Sequence, residues 1–234
     1  MPIIGIISNP YFDYDKSEVA QVSANVVNFV NSVGATPISI LPTNVDEFHK
    51  SDKSNLKKPT IEELEKLKNV LRMCDGIIKP GSYFFFPYQE EIYKYSLRYN
   101  IPYLGICNGL QLMSRCIDKS KMERNNSDIY HTNTFHEVDI EKNSLLYKII
   151  GKDKIVVRSF HNYHVPSTTH FLVNARSSDG YIEGMENTDS LFNLGVQWHP
   201  EANLHDEDSV KLFESFIDAA KVYVKKRLIW QKIP

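Results

Sequence analysis

Cys107 and His199 are the two residues whose types and surroundings suit covalent chemistry. Cys107 lies in Gly105-Ile106-Cys107-Asn108-Gly109-Leu110-Gln111, straight after the apolar run Ile101-Pro102-Tyr103-Leu104. Glycines two residues to either side of a nucleophile have the form of a strand-turn-helix elbow, where strained backbone lifts the side chain clear and its neighbours must be small. The N-terminus of the next helix would favour thiolate through its positive dipole. The backbone N–H of Asn108 would help bind an oxyanion. His199 lies in Gly195-Val196-Gln197-Trp198-His199-Pro200-Glu201. A free thiol has a pKa near ~8.5, so an adjacent imidazole is needed to keep it ionised at neutral pH, and the same ring can then protonate a leaving amine. Glu201 would hold that ring by its other nitrogen, with Pro200 fixing the turn between them. Each segment alone also suits a buried cysteine or a structural histidine. Both in one chain, in this order, point to a Cys-His-Glu triad and to hydrolysis of an amide. Pro80-Gly81-Ser82 is a turn by composition, and Gly81 would let a second backbone N–H approach the oxyanion.

The elements that must position these residues alternate in the first half of the chain. Ile3 to Ser8 reads as a buried strand, Ser17 to Val33 as a helix with a valine stripe ending at Gly34, and Pro37 to Leu41 as a second strand. Val45 to Pro59 reads as a surface loop, and Thr60-Ile61-Glu62-Glu63 as a capping box opening a helix to about Met73. Strand Gly76 to Lys79, helix Pro87 to Tyr99, strand Pro102 to Ile106 and helix Asn108 to Ile117 follow. This order predicts an α/β fold with a doubly wound, mostly parallel sheet between two helix layers. Cys107 and Pro80-Gly81-Ser82 then fall at the carboxyl ends of strands, where such sheets bind ligands. Phe135 to Ile140, Lys154 to Val157, His170 to Arg176, Tyr181 to Met185 and Leu194 to Gln197 read as short antiparallel additions to the same single domain, 1–234. A last helix runs from about Glu207 to Val224, and Leu228, Ile229 and Trp230 of the tail are expected to pack on the domain.

Lys and Arg total 27 against 29 Asp and Glu, a net charge of −2 that gives no electrostatic case for nucleic acid or an anionic membrane. No run approaches the ~20 apolar residues of a membrane span, and Met1 to Ile7 reads as a strand rather than a leader. Three cysteines, Cys74, Cys107 and Cys116, without close pairs, argue against a disulfide framework and a structural zinc site. A cytoplasmic protein is expected. His131 and His136 share a segment, but their spacing matches no standard metal site, so no metal and no cofactor are expected and a substrate contact is the other use for them.

The chain resembles the class I glutamine amidotransferase superfamily, and within it the γ-glutamyl-γ-aminobutyrate hydrolases. The resemblance rests on Pro80-Gly81-Ser82, Gly105 to Gln111, Val157-Arg158-Ser159-Phe160-His161-Asn162, Ala175-Arg176-Ser177-Ser178-Asp179-Gly180-Tyr181-Ile182-Glu183 and Gly195 to Glu201. It implies a flavodoxin-like glutamine amidotransferase fold, with Cys107 as nucleophile, His199 as base and acid, and Glu201 as orienter. It further implies an oxyanion hole at Gly81 and Asn108, and a glutamyl pocket of Gln111, the backbone at Ser159 and Phe160, and His161. Asn108, Arg158 and the run Tyr83-Phe84-Phe85-Phe86 depart from that branch around the leaving-group pocket. The implied activity is hydrolysis of a γ-glutamyl amide, γ-glutamyl-X, to glutamate and the amine of X, with X as γ-aminobutyrate, a polyamine derivative or a nucleotide amidate. The alternatives are a glutaminase subunit feeding ammonia to a separate synthetase and a non-catalytic binding protein. A homodimer is compatible with either enzyme.

Overall fold

The computed structural model of the chain describes residues 1–12, 18–43 and 56–230. The strands are β1 (Ile3–Ile7), β2 (Asn9–Phe12), β3 (Glu18–Gln21), β4 (Thr36–Ile40), β5 (Gly76–Lys79), β6 (Tyr103–Ile106), β7 (Glu123–Arg124), β8 (Thr134–Ile140), β9 (Lys154–Ser159), β10 (Tyr163–His164), β11 (Leu172–Ser177), β12 (Ile182–Glu186) and β13 (Asn193–Val196). The helices are α1 (Ala24–Ser32), α2 (Ile61–Leu71), α3 (Pro87–Tyr99), α4 (Asn108–Ile117), α5 (Leu145–Ile150) and α6 (Glu207–Trp230).

One sheet holds nine of these strands in the order β4-β1-β5-β6-β13-β12-β11-β8-β9. From β4 to β13 the strands run parallel. From β12 to β9 the same sheet continues antiparallel. The parallel centre follows from composition: β5, β6 and β13 are buried at every residue, as strands covered on both faces must be. α1, α5 and α6 bring Val26, Phe29, Leu146, Ile150, Phe213 and Phe216 to one apolar core. α2, α3 and α4 bring Leu67, Leu71, Ile92, Tyr93, Leu110 and Met113 to a second. The expected three layers result, and the Thr60–Glu63 capping box opens α2 as predicted.

Three expectations need correction. Residues 18–21 are not helical: β3 pairs antiparallel with β2, setting Val19 opposite Tyr11, and the helix begins only at Ala24. β-Branched valines suit a strand as well as a helix stripe, and the hairpin takes the first of them; Ser17 lies outside the described residues. The segment expected at Leu194 to Gln197 is not an antiparallel addition beside its neighbours alone. As β13 it sits in the middle of the sheet, parallel to β6 and antiparallel to β12. α6 runs on to Trp230 rather than stopping near Val224. Of the loop expected from Val45 to Pro59, residues 45–55 lie outside the described ones, and 56–59 have no regular structure. The side chains of residues 228–230 and the last four residues also lie outside them. Among the described residues no helix is long and apolar enough to cross a membrane.

Candidate active site

Cys107 is the single residue between β6 and α4, at φ 52° and ψ −105°. A non-glycine residue in that region stores about 1–3 kcal/mol of strain. Its surroundings impose the conformation. Its N–H donates to the Val196 carbonyl at 2.8 Å, and its own carbonyl accepts from Leu110 and Gln111 at 3.1 and 3.2 Å, starting the helix. A Cβ on Gly105 would stand 2.6 Å from the Gly109 carbonyl carbon, and one on Gly109 only 2.2 Å from the Lys79 oxygen. The two glycines of the elbow are therefore steric requirements.

His199 follows β13, where its N–H donates to the Arg158 carbonyl at 3.0 Å. Pro200 opens a short 3-10 turn that brings Glu201 back to the ring. Glu201 Oε1 lies 2.8 Å from His199 Nδ1, so Nδ1 carries a proton and Nε2 is the ring atom left to interact elsewhere. Nε2 is buried without a hydrogen bond of ordinary geometry, the loose arrangement expected before substrate binds. Burial disfavours the imidazolium, but Cys107 and Glu201 outweigh it and raise the His199 pKa well above the usual value. A Cβ on Gly81 would stand 2.9 Å from His199 Cε1 and 3.4 Å from Cys107 Cβ, so this loop lies directly against both groups. Burial pushes the Cys74 and Cys116 thiols up to about 12, and both lie in the apolar core.

Two residues that sequence reasoning left out complete the site. Gln197 is fully buried; its Nε2 donates to the Cys107 sulfur at 3.5 Å, and its Oε1 accepts from Gln111 Nε2 at 3.1 Å. Gln111 Nε2 also donates to the Tyr163 carbonyl at 2.8 Å. Lys79 is fully buried too, and its Nζ donates to the Pro80 carbonyl, Ser82 Oγ and Asn9 Oδ1 at 2.8, 3.0 and 3.1 Å. Burial lowers its pKa to about 7, against a smaller opposing pull from Cys107. Asn9 Nδ2 donates to the Gly81 carbonyl, and Ser82 Oγ to Asn108 Oδ1. The Pro80–Ser82 loop is thereby tied to the start of α4. The signals were present: a lysine closing an otherwise apolar strand, and a glutamine two residues before the histidine.

A cleft of about 450 Å³ opens over the sulfur, lined by Gly81, Tyr83, Phe85, Cys107, Asn108, Gln111, Met122, Phe160 to Tyr163 and His199. It gathers the residues expected as nucleophile and base, Cys107 and His199, those expected for the oxyanion hole, Gly81 and Asn108, and Gln111, Phe160 and His161. The Phe160 carbonyl lies 3.9 Å from the Cys107 sulfur. The Ser159 side chain is fully buried, its hydroxyl donating to the His131 carbonyl at 2.9 Å, and of the two residues expected to offer backbone to the glutamyl group Phe160 lines the cleft. Arg158 also points elsewhere, donating to Asn133 and lying over the Phe135 ring. His161 borders the cleft, but its Nε2 is directed inward toward Glu183 at 3.4 Å. Of the aromatic run, Tyr83 and Phe85 form cleft wall while Phe86 is core.

Comparison with known proteins agrees with this geometry. The profile of the family described as peptidase C26 matches residues 2–201. A Schizosaccharomyces pombe relative named as a glutamine amidotransferase, PB2B2.05, is 33% identical over 60% of this chain and 59% of its own length. The glutamine amidotransferase-like protein YvdE of Lactococcus lactis is 26% identical over 92% of this chain and 98% of its own. CTP synthase of Borreliella burgdorferi is 28% identical over 70% of this chain, which spans only 38% of that enzyme. Among solved structures, the glutaminase domain of Trypanosoma brucei CTPS with bound acivicin superposes with a TM-score of 0.66 at 20% identity, covering 95% of this chain and 94% of that one.

Proposed function

The chain belongs to the peptidase C26 family, and from that premise we propose that it hydrolyses the side-chain amide of a γ-glutamyl compound through a Cys107 thioester. The observation that carries this reading is the strained elbow at Cys107, in one cleft with His199, whose ring Glu201 holds by Nδ1. The Cys107 thiol gives its proton to His199 Nε2, the resulting thiolate attacks the γ-carbonyl carbon, and the carbonyl electron pair moves onto oxygen. The oxyanion is received by the backbone N–H groups at Gly81 and Asn108. His199 Nε2 gives its proton to the departing nitrogen, and the C–N bond breaks. Water, losing a proton to the same Nε2, then attacks the thioester carbon, the C–S bond breaks to release glutamate, and the sulfur takes the proton back from Nε2. Both hydrogens of Gln111 Nε2 are committed to protein acceptors, so its carbonyl oxygen is the atom left to receive the glutamyl ammonium. The cleft volume lies within the range of sites for drug-sized ligands, and Tyr83 and Phe85 offer an apolar wall to a leaving group larger than ammonia.

Glutamate release from glutamine, γ-glutamyl-γ-aminobutyrate, γ-glutamyl-polyamines and γ-glutamyl nucleotide amidates, with Cys107→Ala as control, tests this reading. Fast turnover of one γ-glutamyl-X over glutamine supports it. A second reading, a glutaminase supplying ammonia to a separate synthetase, is favoured by the CTP synthase relatives, in which further chain accompanies the matched part. Turnover of glutamine alone, rising on addition of a synthetase, would select it.

A further inference from the structure

Beneath the cleft wall, three imidazoles and one carboxylate converge in the interior. His131 precedes β8, His136 lies within it, His161 follows β9 and Glu183 lies in β12. One ring nitrogen from each histidine and a Glu183 oxygen all lie within 4.8 Å of one another. Glu183 Oε1 is 3.3 Å from His131 Nδ1, 3.4 Å from His161 Nε2 and 3.7 Å from His136 Nε2. The side chains of His131 and Glu183 are fully buried, and those of His161 and His136 are 2% and 7% exposed. None of the converging atoms has a hydrogen-bond partner among the described residues.

The opposite nitrogen of each ring fixes what the converging one carries. His131 Nε2 faces the Asp179 carboxylate at 2.9 Å, and His136 Nδ1 the Glu137 carbonyl at 3.1 Å. His161 Nδ1 faces the Tyr163 carbonyl at 3.0 Å, its other neighbour being the Asn125 amide nitrogen at 3.3 Å. Carboxylates and carbonyls only accept, so each outer nitrogen holds the hydrogen. In the neutral rings three lone pairs then face a carboxylate, an arrangement of acceptors with no donor between them. A proton on one ring would satisfy one of the three contacts. A cation at the centre satisfies all four, and a divalent one balances the buried charges of Glu183 and Asp179. The three distances to Glu183 are close to those of a tetrahedral zinc shell, in which donors 2.0–2.1 Å from the ion stand about 3.3 Å apart.

We propose that His131 Nδ1, His136 Nε2, His161 Nε2 and a Glu183 carboxylate oxygen bind one divalent transition-metal ion of the zinc class. Each histidine already has the outer acceptor that orients metal-bound imidazole. Four protein ligands fill a four-coordinate shell, so the ion is structural. It ties β8, β12 and the segment after β9 together, and through His161 it fixes the Phe160–Tyr163 wall of the cleft without touching substrate. The inference does not depend on which amide the thiol cleaves.

The test uses the full chain, chelator-treated, with any polyhistidine tag removed, in a Cys107→Ala background so that no reactive thiol competes. Added Co²⁺ should bind at one equivalent with the intense visible absorption of a four-coordinate ion, and Zn²⁺ should displace it and raise the melting temperature. His136→Ala should abolish the band. Asp179→Asn, which leaves all four ligands in place, should weaken binding roughly 10–100-fold, so a His136→Ala chain that fails to fold does not stop the test. Absence of stoichiometric cobalt in the parent, or equal affinity in Asp179→Asn, overturns the proposal.

Discussion

Gln197 donates its side-chain amide to the Cys107 sulfur across 3.5 Å while its own carbonyl is held by Gln111. The sulfur therefore meets a neutral donor on one side and the His199 imidazole on the other. A hydrogen bond to a charged group contributes about 1.5–3 kcal/mol. Gln197→Leu, close in volume, should lower the rate of Cys107 alkylation and of kcat by about 10–100-fold, with little change in KM. Alkylation at the wild-type rate would show that the amide serves packing alone.

Gly81 is set by contact rather than by turn geometry. A methyl there would meet His199 Cε1 at 2.9 Å, so Gly81→Ala must push the loop or the ring aside. Displacement of about 1 Å in such a site costs around 10²-fold in kcat, and stability should change little because the loop edges an open cleft. Wild-type kcat in Gly81→Ala would remove this loop from the oxyanion site.

Lys79 makes stability depend on pH with a definite sign. Its pKa falls from 10.5 to about 7 in the folded chain. Below about pH 7 both folded and unfolded states hold the proton and the cost of the buried charge is full; above it the folded state releases the proton first. Relative to Lys79→Met, the wild type should gain up to about 1.4 kcal/mol per pH unit between about pH 7 and 9. The raised His199 pKa acts in the opposite direction, stabilising below the ordinary imidazole value and fading as pH rises, but it acts in both proteins. Urea denaturation of the pair across that window reads the difference. Parallel stability curves would contradict it.

Tyr83 and Phe85 are the aromatic rings of the 83–86 run that line the cleft. Their joint replacement by alanine should raise KM for a γ-glutamyl compound with a large leaving group about tenfold or more, the effect of ~1.4 kcal/mol, while glutamine turnover stays nearly unchanged. An equal loss for both substrates would mean that these rings hold the fold and not the leaving group.

Much of the site was legible because its parts are local in sequence. The elbow needs Gly105 and Gly109 within two residues of Cys107, and His199 reaches Glu201 through a single proline. β9 alternates exposed and buried residues, which turns the Ser159 side chain into the core and Phe160 outward, a period the segment itself carries. The valines before Ala24 suited two periods, and only the β2 partner decided between them. His131 and His136 were visible as a pair in one segment, but their spacing matched no standard site because the other members, His161 and Glu183, come from other parts of the chain and meet them only through the order of β8, β9, β11 and β12 in the sheet. Lys79 and Gln197 were visible as residue types, but their burial and their contacts are tertiary.

The central claim is that Cys107 carries a glutamyl thioester, and intact-mass spectrometry of the chain quenched during turnover of a γ-glutamyl amide tests it most directly. The account predicts one adduct with the mass of a single glutamyl group, mapped to Cys107 and absent from Cys107→Ala, with Cys74 and Cys116 unmodified. Glutamate release that persists in Cys107→Ala, or an adduct on any other residue, would contradict it.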